Sequence, residues 1–190
     1  MKPILFTDEM VRAIISGKKT QTRRVIKPQP IYFAHGGQLA FADKHSHPHF
    51  DHKRGIKQPY EVGDLLWVRE AWASSKQAVG PEEACYVYRA TDPDWSEFQG
   101  WRWKPSIFMP KKASRLHLMV TGVRVERLHS ISEEDAKAEG VDPDAVIPFF
   151  MSHKETFMIL WDDINKKRGY GWDTNPWVWV VDFELMIQEA

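Results

Sequence analysis

The chain has little cysteine and no long apolar stretch, and both shortages restrict what it can be. Its 190 residues include one cysteine, Cys85, which excludes an intramolecular disulfide and suits a reducing compartment. No stretch approaches the roughly 20 apolar residues of a membrane span. The first residues lack the apolar run of a signal peptide and reach Asp8 and Glu9 at once. The sequence therefore predicts a cytoplasmic protein with no membrane partner.

The sequence also lacks net charge, because 26 basic side chains balance 26 acidic ones. A balanced sum argues at first against nucleic-acid binding. The charges are unevenly distributed, however: the net charge is +5 over residues 1–30, −3 over 31–100, +6 over 101–130 and −8 over 131–190. Two basic segments brought together would attract phosphates, whereas acidic segments packed against them would neutralise them. The distribution leaves both interpretations open.

The remaining composition is that of a folded protein. Hydrophobic residues make up 43% of the chain and charged residues 27%, which excludes a disordered polypeptide. The length predicts a single domain over residues 1–190. Two stretches with weak periodicity, at about residues 28–60 and 73–106, are interpreted as insertions in that domain.

Hydrophobic patterning predicts the secondary structure. One helix begins at Thr7 and ends at Gly17, a second begins at Ser132 and ends at Gly140, and a third covers residues 149–165. Alternating or apolar stretches predict strands over residues 2–6, 20–26, 65–70, 86–90, 114–128 and 176–187. Several non-adjacent strands with few helices predict an α+β fold, a small and mostly antiparallel β-barrel with helical connections.

The densest chemical signal lies in residues 17–24, which hold four cations and two hydroxyls. In a strand, Thr22 and Arg24 share one face and Arg23 lies on the other. Lys19 follows the end of the helix, where a bend in the chain would turn it toward Thr22. This pattern is compatible with a site for an anion or a polar substrate, but runs of charge are usually solvated, so spacing alone favours a solvated basic turn.

The same segment resembles the signature of the ASCH domain family. It fits the pattern G-x-K-x-x-[E/T]-x-R through Gly17, Lys19, Thr22 and Arg24. Further stretches follow in the order of that family, at residues 62–70, 114–128, 131–140 and 175–183. The longer pattern is similar to the ASCH proteins carried by phages and prophages. The resemblance implies a PUA-like barrel fold.

The resemblance also implies an activity, because some small bacterial ASCH proteins are amidohydrolases that deacetylate N4-acetylcytidine. In those proteins a Lys, a Thr and a Glu carry the chemistry, and here they correspond to Lys19, Thr22 and Glu139. Thr22 would be the nucleophile, Lys19 its base and Glu139 the polarising acid/base, with no metal or cofactor. Arg24 would hold the substrate or the oxyanion. For Glu139 an alternative stays open, an exposed carboxylate at a helix end that pairs with Lys137.

Other residues are candidates for substrate binding. Lys18 and Arg23 flank the motif and would attract an anion. Trp67 and Arg69 share one face of a predicted strand and would stack on and hydrogen-bond a base, although a core tryptophan fits the pattern equally well. Glu70, on the opposite face, would supply a second carboxylate. Trp161, Trp177 and Trp179 are interpreted as core residues.

The first insertion is rich in histidine. Its five histidines match no structural zinc pattern, and only carboxylates accompany them, which favours a solvated loop over a metal site. They are His35, His45, His47, His49 and His52, with Asp43 and Asp51 nearby. Cys85 has no evident histidine partner and is interpreted as structural.

Two classes of function remain. The first is a hydrolase of a modified nucleoside, most simply an N4-acetylcytidine-type deacylase. The second is a non-catalytic RNA-binding module of the PUA-like class that uses the basic segments and exposed tryptophans, or a ribonuclease built on the same surface. The expected partner is a modified nucleoside in the first case and RNA in the second.

Overall fold

The computed structural model describes residues 1–32, 39–40, 58–74, 86–94, 102–145 and 151–186. The chain divides into two compact units that alternate along the sequence. The first unit contains residues 1–20, 62–121 and 183–190, and the second contains residues 21–61 and 122–182. The described strands are mostly antiparallel and the helices are few, so the predicted α+β class is confirmed.

The regular elements follow one another along both units. The strands are β1 (Lys2–Leu5), β2 (Gln21–Val25), β3 (Ile31–Tyr32), β4 (Leu39–Ala40), β5 (Leu65–Arg69), β6 (Trp72–Ser74), β7 (Tyr86–Tyr88), β8 (His117–Arg127) and β9 (Trp177–Met186). The helices are α1 (Asp8–Ile15), α2 (Glu133–Ala138) and α3 (His153–Asn165).

In the first unit, β1 pairs in parallel with β5, and β5 pairs antiparallel with the beginning of β8. The strands β6 and β7 form a separate antiparallel pair inside the predicted insertion at 73–106. Trp72 on β6 packs with Met109 and Ala113, and all three side chains are buried. The pair of β6 and β7 therefore packs on a small apolar core whose buried members flank the predicted insertion.

Helix α1 begins and ends as its sequence predicts. The Thr7 hydroxyl accepts a hydrogen bond from the backbone N–H of Met10, and two carboxylates occupy the first turn, where the helix dipole favours them. The buried face carries Val11 and Ile14. Gly17 follows the helix with a φ of 72°, a left-handed conformation that glycine adopts at little cost.

In the second unit, β2 runs antiparallel to β9, and the short strands β3 and β4 pair with each other. Helices α2 and α3 cover a core built mainly from aliphatic and aromatic side chains. Its buried members are Leu128, Ile131, Ala136, Phe157, Trp161, Val178 and Val180. Helix α3 begins at His153 rather than at 149, because Ser152 and Glu155 form a reciprocal capping box there.

The described strands do not close into a barrel, because β1 and β2 are edge strands that each pair with one neighbour, β1 with β5 and β2 with β9. The predicted histidine-rich part of the first insertion lies outside the described residues, as do Cys85, Trp95 and Trp101. No helix of the described residues is long and apolar enough to cross a membrane.

Candidate functional site

The chain bends sharply between α1 and the signature residues. After Gly17, the backbone N–H of Lys19 donates to the carbonyl of Ala13 at 2.9 Å, and the carbonyl of Thr20 accepts from the N–H of Phe183 at 2.8 Å. These bonds satisfy backbone groups that would otherwise lack a hydrogen-bond partner at and just after the helix end. They also fix the position of Lys19 within the first unit.

Lys19 is a buried lysine, with only 2% of its surface exposed. Its Nζ lies 5.7 Å from the centre of the Phe6 ring, and Phe6 in turn contacts Phe183. Removing an ammonium group from water is expensive, so proteins seldom bury a lysine without a specific use for it. The neighbouring Lys18 is exposed.

Strand β2 carries the other signature residues into the second unit. Thr22 pairs with Val181 and Arg24 with Trp179 in the antiparallel register with β9. Alternation along the strand places Thr22 and Arg24 on one face, as predicted. Thr22 is 2% exposed, whereas Arg24 is half-buried. Burial lowers the pKa of Arg24, and the charges of Tyr60 and Glu139 oppose that effect.

Arg23 lies between them with a fully buried side chain that binds protein carboxylates. Its guanidinium donates to Asp135 at 3.0 Å, to Glu139 at 3.3 Å and to Glu126 at 3.4 Å. The guanidinium carbon also lies 5.9 Å from the centre of the Phe157 ring. The described contacts of Arg23 are thus with the protein interior, and its predicted role in substrate binding stays a prediction.

A second arginine extends this network. Arg124 on β8 donates to Asp182 at 2.7 Å, to Asp135 at 3.0 Å and to Glu126. The Gln21 amide donates to Asp182 at 2.6 Å and to Asp135 at 3.1 Å. We call this group the Arg23 cluster; it comprises Gln21, Arg23, Arg124, Glu126, Asp135, Glu139 and Asp182.

The sequence reasoning missed most of the Arg23 cluster. Ser132, which begins the second predicted helix, accepts a hydrogen bond from the backbone N–H of Asp135. The Asp135 carboxylate, however, binds two arginines from distant strands. One usable signal was present: Arg124 and Glu126 alternate on β8, so they share a face and bring opposite charges together.

Glu139 is buried in the second unit. It follows the last residue of α2 and is 3% exposed, so the interpretation as an exposed carboxylate paired with Lys137 is wrong. Its Oε1 accepts from Arg23 at 3.3 Å. The structure therefore brings together Glu139 and Arg23, two of the residues that the sequence selects, while Lys19 is described with the first unit and Thr22 with the second.

The candidates on β5 lie in the first unit and contact its own side chains. Trp67 is buried, and the guanidinium carbon of Arg69 lies 5.2 Å from the centre of its ring. Glu70 is fully buried and accepts two hydrogen bonds from Arg115, at 2.9 and 3.0 Å. Burial raises the pKa of Glu70, although Arg115 opposes that shift. The roles of these residues in substrate binding stay predictions.

No metal site is found among the described residues, which contain no group of three or more His, Cys, Asp or Glu side chains arranged to hold an ion. The histidine-rich loop is outside that part of the chain.

Comparison with known proteins gives little. No family model matches the chain, and no curated protein matches it. One solved structure with similarity is protein EF3133 from Enterococcus faecalis V583, described under the family model DUF984. The two share 11% sequence identity with a TM-score of 0.46, over 98% of this chain and 76% of that one. We draw nothing further from a similarity at that level.

Proposed function

We propose that the chain is an ASCH-type, PUA-like protein that hydrolyses an amide on a modified nucleoside, of which N4-acetylcytidine is the simplest example. Thr22 is the nucleophile, Lys19 its base and Glu139 the polarising acid/base. The observation that carries the proposal is their burial: each of the three is at most 3% exposed. A buried lysine and a buried glutamate are costly, and positions that accept this cost are often functional.

Chain connectivity supports a joint role for Lys19 and Thr22. Three residues of extended chain span at most about 10 Å, so the Cα atoms of Lys19 and Thr22 are no farther apart than that. The Gly17 turn and the hydrogen bond from Lys19 to Ala13 fix the beginning of that segment, and pairing with β9 fixes its end. Preorganised groups of this kind lower the entropic cost of reaction.

Hydrolysis of the amide takes two steps. In the first, Thr22 Oγ1 bonds to the acetyl carbon while the bond from that carbon to N4 breaks, and the hydroxyl proton passes through Lys19 to the departing amine. In the second, the oxygen of a water molecule bonds to the acetyl carbon while the bond from that carbon to Thr22 Oγ1 breaks, and a proton of the water passes through Lys19 to Oγ1, which releases acetate and restores the threonine. Arg24 stabilises the oxyanion of each tetrahedral intermediate. Glu139 polarises the substrate amide and exchanges protons with it.

The test is to incubate the protein with N4-acetylcytidine and to follow the release of cytidine by chromatography. Lys19→Ala and Thr22→Ala should each lower turnover by at least about 100-fold. Thr20→Ala and Lys137→Ala are matched controls at exposed positions, and turnover should be unchanged in both. No turnover by the parent protein, or equal turnover in all variants, would overturn the proposal.

A non-catalytic RNA-binding module is the second candidate. The observation that favours it is the exposure of neighbouring cations, such as Lys111 and Lys112 in the first unit and Lys166 and Lys167 in the second. RNA binding that weakens steeply with salt, without release of cytidine, would support it. Cleavage of a labelled RNA would instead indicate a ribonuclease.

A further inference from the structure

Two neighbouring apolar side chains of the first unit are exposed to solvent. Phe108 is 69% exposed and Ile107 is 57% exposed. Both belong to a short 3-10 turn, Ser106–Phe108. Single apolar side chains are common on protein surfaces, whereas strongly exposed ones next to each other are typical of interaction surfaces.

Contacts of the flanking residues hold this turn in place. The carbonyls of Ile107 and Met109 accept hydrogen bonds from the guanidinium of Arg69, the latter at 3.2 Å. The Met109 side chain is buried against Trp72. Because both neighbours of Phe108 are held by the protein, its exposed position is part of the fold.

Two exposed lysines follow the apolar pair. Lys111 and Lys112 begin a second 3-10 turn, whose last residue, Ala113, is buried and accepts a hydrogen bond from the Tyr88 hydroxyl at 2.8 Å. The Cα atoms of Phe108 and Lys111 are at most about 10 Å apart, because only three residues of chain join them. Apolar and basic side chains therefore share one area, which we call the turn surface: Ile107, Phe108, Lys111 and Lys112.

Helix α3 of the second unit exposes an apolar side chain between two carboxylates. Glu155, Ile159 and Asp163 follow one another at a spacing of four residues, so they lie along one stripe of the helix. All three are exposed, Ile159 to 45%. The opposite side of α3 carries the buried Phe157 and Trp161, which fixes the direction that the stripe faces.

The neighbouring helix adds a carboxylate to this stripe. Glu133 in the first turn of α2 is exposed, and it accepts a hydrogen bond from the backbone N–H of Lys154 at 3.4 Å. Beyond the end of α3, Lys167 is exposed, and Lys166 pairs with Asp162 at 3.2 Å, which offsets its charge. We call the acidic and apolar area the helix surface; it comprises Glu133, Glu155, Ile159 and Asp163.

The two surfaces lie in segments of opposite charge. Residues 98–125 contain six Lys and Arg side chains and no Asp or Glu, whereas residues 131–163 contain nine Asp and Glu side chains and two Lys. Opposite charges around apolar centres favour contact between such surfaces, and like charges disfavour contact of either surface with a second copy of itself. The zero net charge of the chain also removes the general repulsion that keeps molecules apart.

We infer that the turn surface of one molecule binds the helix surface of a second copy of this chain. Phe108 and Ile107 pack on Ile159 of the other molecule, and the two lysines face its carboxylates. Each such contact leaves one surface of each kind unused at the ends of the assembly, so further copies add to form rings or open chains. Both surfaces are small, and the association is therefore weak. The inference does not depend on the proposed hydrolase, whose catalytic residues belong to neither surface.

Self-association is tested with the full chain by sedimentation velocity at low salt, at protein concentrations from about 10 µM to about 1 mM, the range of a weak contact. The mean mass of the parent protein should rise with concentration and pass that of a dimer. Phe108→Gln and Ile159→Gln should each weaken the association at least about 10-fold. Val62→Gln changes another strongly exposed apolar side chain outside both surfaces and should leave the association unchanged.

A mixture of the two variants distinguishes contact between unlike surfaces from contact between like ones. The Phe108→Gln protein keeps an intact helix surface, and the Ile159→Gln protein keeps an intact turn surface. Together they can form one intact contact, after which no intact surface is left. The equimolar mixture should therefore form dimers and nothing larger, at concentrations where each variant alone is monomeric.

The contribution of charge is tested by salt. Raising the salt concentration from about 0.05 M to about 0.5 M should weaken the association of the parent protein, because exposed charges are screened. Lys111→Gln/Lys112→Gln should weaken it at low salt and make it less sensitive to salt. Lys166→Gln/Lys167→Gln has the same change in charge beside the acidic stripe and should not weaken it.

Four outcomes would overturn the inference: a parent protein that stays monomeric throughout, association that is unaffected by Phe108→Gln or by Ile159→Gln, a mixture that gives no dimer, or equal weakening by the two pairs of lysine substitutions. Circular dichroism checks that the variants are folded. Association that persists in Ile159→Gln but not in Phe108→Gln would instead indicate contact between two turn surfaces.

Discussion

Arg23 and Glu139 form an ion pair that is buried on both sides, with Nη1 of the arginine 3.3 Å from Oε1 of the glutamate. The pair joins β2 to the end of α2 within the second unit. Burying two charges costs more than their attraction returns unless further hydrogen bonds satisfy them. Asp135 and Glu126 provide those bonds to Arg23. Arg23, which binds Glu139, is thus itself held by Asp135 and Glu126.

Removal of the shared cation should therefore destabilise the protein strongly. We expect Arg23→Gln to lower the free energy of unfolding by roughly 3–5 kcal/mol, because the buried ion pair with Glu139 is broken and Asp135 and Glu126 each lose one of two arginine partners. Glu139→Gln should cost less, since Arg23 keeps Asp135 and Glu126. Urea unfolding at neutral pH measures both. Arg12→Gln, at an exposed pair with Glu9, is the control and should cost less than about 1 kcal/mol; an equal loss in Arg12→Gln and Arg23→Gln would contradict the argument.

The carboxyl of Asp135 should make stability fall in acid. Partial burial favours its protonated form, but the Gln21 amide and the charges of Arg23 and Arg124 outweigh burial and lower the pKa of Asp135 below that of an ordinary aspartate. A group with a lowered folded-state pKa stabilises the protein above its unfolded-state pKa, and this contribution disappears as the pH falls through the folded-state value. We expect the difference in free energy of unfolding between the parent protein and Asp135→Asn to be largest near neutral pH and to shrink below about pH 4. A difference that stays constant with pH would refute this assignment.

The carboxyl of Glu70 should show the opposite dependence. Its burial raises the pKa of Glu70 above that of an ordinary glutamate, despite the two hydrogen bonds from Arg115. A raised folded-state pKa favours folding when the group is protonated, so this contribution is present at low pH and is lost as the pH rises through the folded-state value. Relative to Glu70→Gln, the parent protein should lose stability from acidic to neutral pH in denaturant titrations. A relative gain instead would mean that the attraction of Arg115 outweighs burial.

A side chain larger than that of glycine at position 122 on β8 should destabilise the protein. A Cβ at this position would lie 2.7 Å from Asp182 Oδ2, the atom that accepts a hydrogen bond from Arg124. We expect Gly122→Ala to cost about 1–3 kcal/mol by displacing that carboxylate. The same substitution in an Asp182→Ala background should cost much less, because the clash is gone, and thermal unfolding of the four proteins in this cycle measures the coupling. Additive costs would show that the clash is relieved elsewhere.

The ends of two helices and the course of one long strand could be predicted from neighbouring residues in the sequence. Thr7 and Gly17 delimit α1, Ser132 and Gly140 delimit α2, and the alternation of β8 is visible from His117 onward. Each of these depends on a hydrogen bond or a backbone conformation within a few residues. The start of α3 was misplaced, because an apolar stretch before residue 153 resembles a helix face and the Ser152 cap was overlooked.

Contacts between distant residues were not predictable in the same way. The Arg23 cluster joins β2, β8, β9 and α2, and no pattern within one segment reveals that Asp135 turns its carboxylate toward two arginines. The pairing of β6 with β7 at the predicted insertion of about residues 73–106 was likewise invisible. For the candidate site, the family resemblance selected Lys19, Thr22 and Glu139, but the contact of the buried Glu139 with Arg23 joins distant residues and is not visible in its own helix.

The alternation of the two units along the chain has a consequence for synthesis. The first unit begins at residue 1 and includes residues 183–190, while the second occupies stretches between them. A ribosome therefore completes the unit that it starts first only after it has read through all of the second. The contacts of Phe6 and Thr20 with Phe183 cannot form before that point, although domains generally fold from the N-terminus while the chain is being made.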